Sequence, residues 1–349
     1  MKIGILTFHW ATNYGAVLQC YALQSYLKSE GHAVEVINYK PHQYDDTLWS
    51  FIRCRKFLNI KEYLNNKRKE AAIEEFRAKR LKRSERVYTC AEIGKIAGRY
   101  DAIISGSDQV MNPGFLSSGD GKGVITPSYF LGFPFKGKRI GYALSFGCVE
   151  YPENARRIAS EYIKNFDVIT VRENTGIDIV KSMGRDDATA APDPTLLMPS
   201  EFYHELADRK VPGHAIYSFF IRHIAERTQA INRLFCGKDI LWNNDDGDYS
   251  LGGWLGKIKQ AKFVVTDSFH CVVMCLKLHV PFAAVTEQAG NVGMNDRLYT
   301  LLDKLNLSDR IVCKDNIQSI TSFPEAGIAW KNVDLLLALY GDISSLKII

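Results

Sequence analysis

The stretch Phe263–Val285 constrains the fold more than any other part of this 349-residue chain. Its sequence, FVVTDSFHCVVMCLKLHVPFAAV, predicts a buried strand, a polar turn, a short apolar helix and a second buried strand. Two strands joined in this way run parallel with a right-handed crossover. In such open α/β sheets, ligands bind at the carboxyl ends of the strands, beside helix N-termini. Because Asp267, Ser268 and His270 lie at such a junction, we expect a functional site there.

The same alternation of strands and helices extends along the whole chain. A strand–loop–helix–strand unit covers the first 40 residues, and a second alternating series follows a polar break that holds two prolines. We therefore predict two doubly wound Rossmann-like domains facing a cleft. The first spans residues 1–200 and carries a basic helical insertion at about 45–90. The second spans residues 201–349 and ends in a leucine-rich helix.

Composition is that of an ordinary globular protein, with 46% hydrophobic and 24% charged residues. No run of about 18 apolar residues predicts a transmembrane helix. The N-terminus predicts a first strand rather than a signal peptide. The eight cysteines are scattered, mostly among apolar residues, which favours reduced thiols over a disulfide framework. We therefore expect a cytoplasmic protein.

Charge is concentrated in Arg53–Arg86, which holds 13 Lys and Arg residues against 5 Asp and Glu residues. One interpretation is a solvated helical hairpin. The other is a basic surface that contacts anionic lipid head groups or a diphosphate-linked substrate at the membrane. Aromatic residues are not interleaved with the basic ones, and no nucleic-acid-binding module is recognisable, so we expect no nucleic-acid partner.

Polar loops follow several predicted strands. The loop at residues 9–15 lacks both of the common glycine patterns that bind nucleotide phosphates, so it gives no nucleotide signal. Thr12 and Asn13 in this loop either cap the next helix or hydrogen-bond to hydroxyl groups of a ligand.

Two further clusters lie at strand ends. Asp108, Gln109 and Asn112 follow one predicted strand. Arg172–Glu173 ends another, either as an anion-binding pair or as a structural ion pair. Asp193 precedes a proline and is typical of a turn.

A possible metal site is suggested by Cys271, Cys275 and His279, which recur every four residues on one predicted helix. One helix rarely supplies a complete tetrahedral site, and this helix is apolar nearly all round. We therefore expect core cysteines and no metal.

Eight short segments, in order, resemble the polysaccharide pyruvyl transferase family. They are NYGAVLQCYALQSYLKSEGHAVEVINYKP (13–41), ISGSDQVMNP (104–113), YFLGF (129–133), GYALSFG (141–147), DVITVRENTG (167–176), DPTLL (193–197), WLGKIKQAKFVVTDSFH (254–270) and NDRLYTLLDKL (295–305). The resemblance implies a GT-B-like fold. It also implies transfer of the enolpyruvyl group of phosphoenolpyruvate to two hydroxyls of one sugar, which forms a pyruvate ketal. The sugar would belong to a cell-surface polysaccharide, such as a capsule or exopolysaccharide, or to its lipid-linked precursor.

This transfer needs a proton donor, a base, and cations for phosphate and carboxylate, but no cofactor beyond the phosphoenolpyruvate substrate. The residues that we predict to be catalytic are His270, Asp108 and Glu173. Those that we predict to bind the donor are Arg172, Arg297, Ser268 and Asp267. Those that we predict to bind the acceptor are Thr12, Asn13, Tyr14, Gln109 and Asn112. The first domain would bind the acceptor and the second the donor.

The chain departs from the family pattern at Ser268, where many members have an arginine two residues before the histidine. Arg297 or Lys262 would then have to supply the missing cation. Two alternatives stay open: a GT-B-type glycosyltransferase that uses a nucleotide-sugar donor, and a catalytically inactive glycan-binding homologue.

Overall fold

The computed structural model describes residues 1–45, 60–121, 123–208, 210–287, 290, 295–323 and 327–344. The described residues divide into two compact units, one from Met1–Leu197 with residues 343–344, the other from Met198–Asp342. Each unit is built on one sheet of parallel strands connected by helices. The predicted class, α/β with two doubly wound Rossmann-like domains, is therefore confirmed.

Unit 1 has a six-stranded sheet whose neighbouring strands are all parallel, in the order β2-β1-β3-β4-β5-β6. Its strands are β1 Lys2–Leu6, β2 Ala33–Val36, β3 Ala102–Ser105, β4 Lys138–Leu144, β5 Val168–Val171 and β6 Thr189–Ala190. Its α-helices are α1 Tyr14–Ser29, α2 Ile60–Arg80, α3 Cys90–Ala97, α4 Pro113–Leu116, α5 Glu153–Tyr162, α6 Asn174–Ser182 and α7 Pro194–Leu197.

The strands of this sheet are apolar on both faces, because helices cover both. Ile3 and Ile5 of β1 belong to one core cluster, together with residues of α1 such as Leu23. The next strand residue, Leu6, points to the opposite face and belongs to a second cluster with Ile93 of α3. Side chains alternate along a strand, so a strand between two cores is a continuous apolar run.

The basic segment is more closely integrated into unit 1 than a solvated helical hairpin would be. Its described part is the single helix α2, followed by an extended stretch that bridges to the β2 edge at Val36↔Arg83 and Tyr39↔Val87. Arg77, which the sequence places among surface cations, is 1% exposed. The first part of the segment, residues 46–59, lies outside the described residues.

Unit 2 has a five-stranded parallel sheet in the order β11-β10-β9-β7-β8. Its strands are β7 His214–Phe219, β8 Ile240–Trp242, β9 Ala261–Thr266, β10 Phe282–Val285 and β11 Ile311–Val312. Its α-helices are α8 Ser200–Leu206, α9 Ala225–Leu234, α10 Leu251–Gln260, α11 Phe269–Leu278, α12 Asp296–Lys304 and α13 Trp330–Gly341. The predicted strand–turn–helix–strand stretch is therefore β9–α11–β10, with the two strands parallel.

The leucine-rich helix α13 buries Val333 and Leu337 but leaves Leu335 and Leu339 exposed. It therefore packs along one narrow edge. Across the described parts of the chain, no helix is long and apolar enough to cross a membrane.

Candidate functional site

Each sheet has a topological switch point, where successive connections leave in opposite directions along the sheet. In unit 1 it lies between β1 and β3, and in unit 2 between β7 and β9. Open α/β sheets bind ligands at such points, outside the carboxyl ends of the strands. Thr12 and Asp108 follow the two strands at the first switch point, and His270 follows β9 at the second.

The loops at the first switch point are joined directly. The Thr7 hydroxyl donates a hydrogen bond to the Ser107 carbonyl over 3.0 Å. Gly106 has a φ of +115°, and a Cβ there would collide with the carbonyl oxygen of Tyr142. Asp108 also has a positive φ, of +69°, and its side chain is 18% exposed. The turn therefore presents the Asp108 carboxylate at the edge of the sheet.

Arg172 lies at the centre of a buried charge network at this edge. Its Nη1 donates to Asp193 Oδ2 over 2.7 Å, while Glu173 Oε2 and Asp108 Oδ1 lie 3.7 and 3.9 Å from its Nε and Nη2. Burial by itself lowers the pKa of Arg172, but the three carboxylates outweigh it and raise that pKa above its ordinary value. The guanidinium is thus permanently charged and already surrounded by anions.

Asp193 makes more structural contacts than the turn that the sequence predicts for it. It is fully buried, and its Oδ1 accepts hydrogen bonds from the Thr195 amide and hydroxyl, as expected for a turn. Its Oδ2 also accepts from Ser107 Oγ over 3.1 Å and from Arg172. Asp193 therefore links the β3, β5 and β6 loops.

Glu173 is buried and holds the loop after β4. Its Oε1 accepts hydrogen bonds from Ser145 Oγ over 2.9 Å and from the Phe146 amide over 2.7 Å. It does not cap α6 through its side chain, although it is the residue before that helix. Its predicted catalytic role stays a prediction.

Gln109 and Asn112 lie side by side, with Asn112 Nδ2 donating to Gln109 Oε1 over 3.2 Å. Asn112 Oδ1 also accepts from the Gly114 amide and caps the short helix α4. Gly147 has a φ of +65°, and a Cβ there would come within 2.7 Å of Gln109 Oε1, so glycine is favoured beside this pair.

The loop after β1 is held by caps and by α2. Asn13 Oδ1 accepts from the Ala16 amide over 3.2 Å, so of the two interpretations the helix cap is observed. The Thr12 hydroxyl donates to Glu70 Oε2. Tyr14 is buried, with Lys69 Nζ 4.7 Å from its ring centroid.

Arg77 and His9 are two residues near this loop that sequence reasoning missed. Arg77 Nη2 donates to the carbonyls of Trp10 and Ala11 over 2.9 and 2.8 Å, which ties the loop to α2. Arg77 follows the buried Ile73 by four residues, the spacing of one helix face, and this was the signal that could have revealed it. Burial lowers the pKa of His9 to about 4, and the positive charges of Arg77 and Arg83 add to this effect.

At the second switch point, β9 is followed directly by α11, whose N-terminus is capped. Ser268 Oγ accepts from the Cys271 amide over 3.3 Å, and the Ser268 amide donates to Thr266 Oγ1. Ser268 is therefore the N-cap of α11, with its oxygen directed at its own helix. His270 is the second residue of α11 and is 6% exposed.

Asp267 joins the loops that follow β7 and β9. Its Oδ1 accepts from the Ile221 amide over 2.7 Å, and its Oδ2 accepts from Arg227 Nη2 over 3.1 Å and from the Arg222 amide. Arg222 therefore lies at the same switch point, with its guanidinium half exposed and 2.7 Å from Glu287 Oε1. Arg222 and Arg227 were not among the residues predicted from the sequence.

Arg297 is near the start of α12, and its guanidinium lies 5.8 Å from the ring centroid of Phe269. Since Phe269 precedes His270, the structure brings these two predicted residues into one neighbourhood of unit 2. Lys262, the other predicted source of a cation, is exposed and is the second residue of β9. It lies roughly 13 Å before the carboxyl end of that strand, at the edge of the sheet opposite to the switch-point loops.

Cys271 and Cys275 are fully buried within α11. His279 follows the helix in a left-handed conformation, where its Nε2 lies 2.8 Å from Asp334 Oδ1 and its ring stacks on Trp330. Within the described ranges, no group of three or more metal-ligating side chains is found.

The strand order and the polar switch-point loops define a two-unit α/β protein with candidate ligand sites at the carboxyl edges of its sheets. The family model for polysaccharide pyruvyl transferases matches residues 13–288. The match covers most of the chain, including Asp108 and His270, and confirms the resemblance. The chain belongs to the polysaccharide pyruvyl transferase family. No curated protein matches the chain.

Comparison with solved structures finds similarity at low sequence identity. An α-glucosyltransferase in complex with UDP is 10% identical, covers 99% of this chain and 97% of its own, and gives a TM-score of 0.47. The UDP-GlcNAc 2-epimerase of Methanocaldococcus jannaschii is 11% identical over 97% of this chain and 99% of its own, with a TM-score of 0.46. The E. coli heptosyltransferase with ADP is 12% identical over 84% and 89%, with a TM-score of 0.38.

Proposed function

We propose that this protein transfers the enolpyruvyl group of phosphoenolpyruvate to two hydroxyls of one sugar, forming a pyruvate ketal and releasing inorganic phosphate. The observation that carries the proposal is the family match over residues 13–288, which includes a histidine at the switch point of unit 2. In this account unit 2 binds the donor and unit 1 binds the acceptor. No cofactor beyond the two substrates is required.

The reaction begins with proton transfer from His270 to the methylene carbon of phosphoenolpyruvate, which leaves an oxocarbenium ion at the neighbouring carbon. A first sugar hydroxyl attacks that carbon and gives its proton to Asp108. Phosphate then leaves with the electrons of its C–O bond, and a second hydroxyl forms the ketal. The second hydroxyl gives its proton back to His270, and the proton on Asp108 leaves with phosphate, so both residues return to their starting states. Glu173 supports the base by keeping the adjacent loop in place.

Donor binding needs cations for the phosphate and carboxylate groups. The Ser268 hydroxyl accepts from its own helix but keeps its O–H donor, so we assign Ser268 to this role together with Arg297 and Arg222. Asp267 positions Arg222 through its backbone amide. Arg172 would act on substrate only through its surrounding carboxylates.

Acceptor binding is assigned to the first switch point. The residues concerned are Thr12, Asn13, Tyr14, Gln109 and Asn112. Several of these side chains already cap helices or pair with each other, which orients their remaining donors and acceptors for sugar hydroxyls.

The test is incubation of the protein with phosphoenolpyruvate and a galactoside, followed by phosphate determination and mass spectrometry of the acceptor. Stoichiometric phosphate release with a pyruvate ketal on the acceptor is the expected result. Absence of both, together with thermal stabilisation by a uridine diphosphate sugar but not by phosphoenolpyruvate, would reject the proposal in favour of a nucleotide-sugar glycosyltransferase.

We further propose that the protein works in the cytoplasm on a lipid-linked precursor and contacts the anionic membrane surface through the basic segment. In support, α2 is polar along most of its length and exposes Ile60 and Leu64 among its lysines. We expect Arg80→Glu with Lys82→Glu to weaken sedimentation with phosphatidylglycerol vesicles, by about 1 kcal/mol for each charge removed. Unchanged sedimentation would leave the segment as a solvated surface.

A further inference from the structure

A cavity of about 530 Å³ lies in unit 1, beside the carboxyl ends of β1 and β2. Trp10 and Asn38, which follow these two strands, contribute to its wall. Its charged lining residues come from three separate segments of the chain, and they are Lys40, Glu70, Glu74, Arg77, Arg83 and Arg86. Cavities that hold small-molecule ligands have about this volume.

The two carboxylates of the lining are already neutralised by arginines of the same lining. Arg77 Nη1 donates to Glu70 Oε1 over 2.9 Å and to Glu74 Oε2 over 3.1 Å. Arg83 binds Glu74 through both of its terminal nitrogens, over 2.6 and 3.2 Å. Because these four charges compensate one another, the remaining charges are those of Lys40 and Arg86, two cations that share the single carboxylate of Asp45.

Lys40 and Arg86 already share one oxyanion, the carboxylate of Asp45. Lys40 Nζ lies 3.5 Å from Asp45 Oδ1, and Arg86 Nη2 donates to the same oxygen. Burial raises the pKa of Asp45, but these cations outweigh it and lower that pKa below its ordinary value. The Arg86 guanidinium also lies over the Tyr88 ring, at 4.6 Å. The pair is therefore held in a geometry that suits an oxyanion.

Both cations keep donors for a further oxyanion. An arginine has five N–H donors and a lysine three. Among the described residues, the Arg86 guanidinium donates a hydrogen bond to Asp45 alone. The Arg86 side chain is 36% exposed and the Lys40 side chain is 23% exposed, so a ligand can reach both from solvent.

We propose that this cavity binds the phosphate group of a phosphorylated carbohydrate, with Arg86 and Lys40 as the residues that hold the phosphate oxygens. The bidentate fork of an arginine matches phosphate geometry, and the volume exceeds what a bare phosphate fills. That the ligand is the acceptor sugar rests on the proposed function. That the cavity binds a sugar phosphate rests only on the geometry and charge of the cavity. The cavity would hold the sugar–phosphate end of the acceptor.

The test is calorimetric titration with galactose 1-phosphate, galactose and inorganic phosphate. We expect galactose 1-phosphate to bind more tightly than either of the others. Arg86→Gln and Lys40→Gln should each weaken its binding about tenfold, the loss expected for one charge-assisted hydrogen bond. The matched control is Arg156→Gln, which removes an arginine from an ion pair with Glu153 on α5 of the same unit, where no residue lines the cavity. It should leave the affinity unchanged, and melting temperatures establish that each variant is folded.

Equal weakening in all three variants, or no binding of galactose 1-phosphate by the wild-type protein, would overturn the proposal. Binding of phosphatidylglycerol vesicles that depends on Arg86 and Lys40, without binding of galactose 1-phosphate, would assign the cavity to a lipid head group and also overturn it. Binding of galactose 1-phosphate without pyruvyl transfer would leave the cavity assignment standing and reject the proposed function. Transfer to a neutral galactoside without binding of galactose 1-phosphate would support the proposed function and reject the cavity assignment.

Discussion

The two switch points differ in how their arginines are used. At the first, Arg172 is buried and three carboxylates lie within 3.9 Å of its nitrogens. At the second, Arg297 lies against an aromatic ring and Arg222 is half exposed. The first arrangement is saturated with negative charge, and an incoming anion would meet carboxylates. At the second, Arg222 is paired with one carboxylate, that of Glu287, and Arg297 is partly buried against Phe269, the residue before His270.

Because their surroundings differ, the arginines at the two switch points are expected to have different roles. A buried arginine among carboxylates stabilises the loops that it joins, because removing it leaves buried charges without compensation. An arginine that is not at the centre of buried carboxylates contributes less to stability and can bind a phosphate or a carboxylate of a ligand. Under the proposed function, we therefore expect Arg172 to be structural, Arg297 to bind the donor and His270 to transfer the proton.

The largest effect is expected for His270→Gln, which removes the proton donor. Turnover should fall about a thousandfold, within the range for loss of a general acid. The control is His279→Gln at the other end of α11, where the ring contacts Asp334 and Trp330 on the surface. Phosphate release from phosphoenolpyruvate is the measurement. Similar turnover in both variants would remove His270 from the mechanism.

Arg172→Met should cost about 4 kcal/mol in the free energy of unfolding, because Asp193 and Glu173 would remain buried without their counter-ion. Arg297→Met should cost less, because Arg297 is only partly buried and methionine can keep its contact with Phe269. Urea unfolding of both variants measures the contrast. If the two lose the same free energy, the distinction between a structural and a ligand-binding arginine is wrong.

His9 gives unit 1 a dependence on pH. Since its pKa is about 4 in the folded protein and about 6.5 when unfolded, the unfolded chain binds more protons between these values. Stability from this group is therefore complete above pH 6.5 and is lost as the pH falls, by about 3 kcal/mol at pH 4. His9→Gln should flatten this part of the pH profile, whereas His42→Gln, at an exposed histidine, should not. A wild-type profile that is flat between pH 6.5 and 4 would contradict this.

Arg297→Gln should raise the KM for phosphoenolpyruvate about thirtyfold with a smaller change in kcat, as for loss of one charge-assisted hydrogen bond to the donor. Lys262→Gln, on the opposite edge of the same sheet, is the control. Steady-state kinetics with varied phosphoenolpyruvate distinguish the two. A KM that rises equally in both variants would indicate a general charge effect.

Local sequence patterns were sufficient to predict the sheets and the strand ends. The apolar runs of β1 and β9 and the polar residues that follow them specify a strand and its carboxyl edge, and residues such as Asp108 and His270 are found there. Asn13 could be predicted as a cap or a ligand, and the structure shows the cap.

The missed residues act over long sequence separations. Asp193 looks like a local turn residue, and nothing near it in the sequence indicates Arg172, 21 positions earlier. Arg77 is one of 13 cations in its segment, and its contacts with Trp10 and Ala11 depend on tertiary packing. The strand order of the sheet decides which loops lie side by side, and therefore which of their side chains can pair. That order cannot be read from a single sequence.

The most direct test of the central claim is transfer from phosphoenolpyruvate to a galactoside in D₂O, followed by mass spectrometry of the product. Protonation of the methylene carbon by His270, whose proton exchanges with solvent, predicts a pyruvate ketal that carries one deuterium in its methyl group. A ketal without deuterium would contradict the proposed proton transfer. An unmodified galactoside would contradict pyruvyl transfer itself.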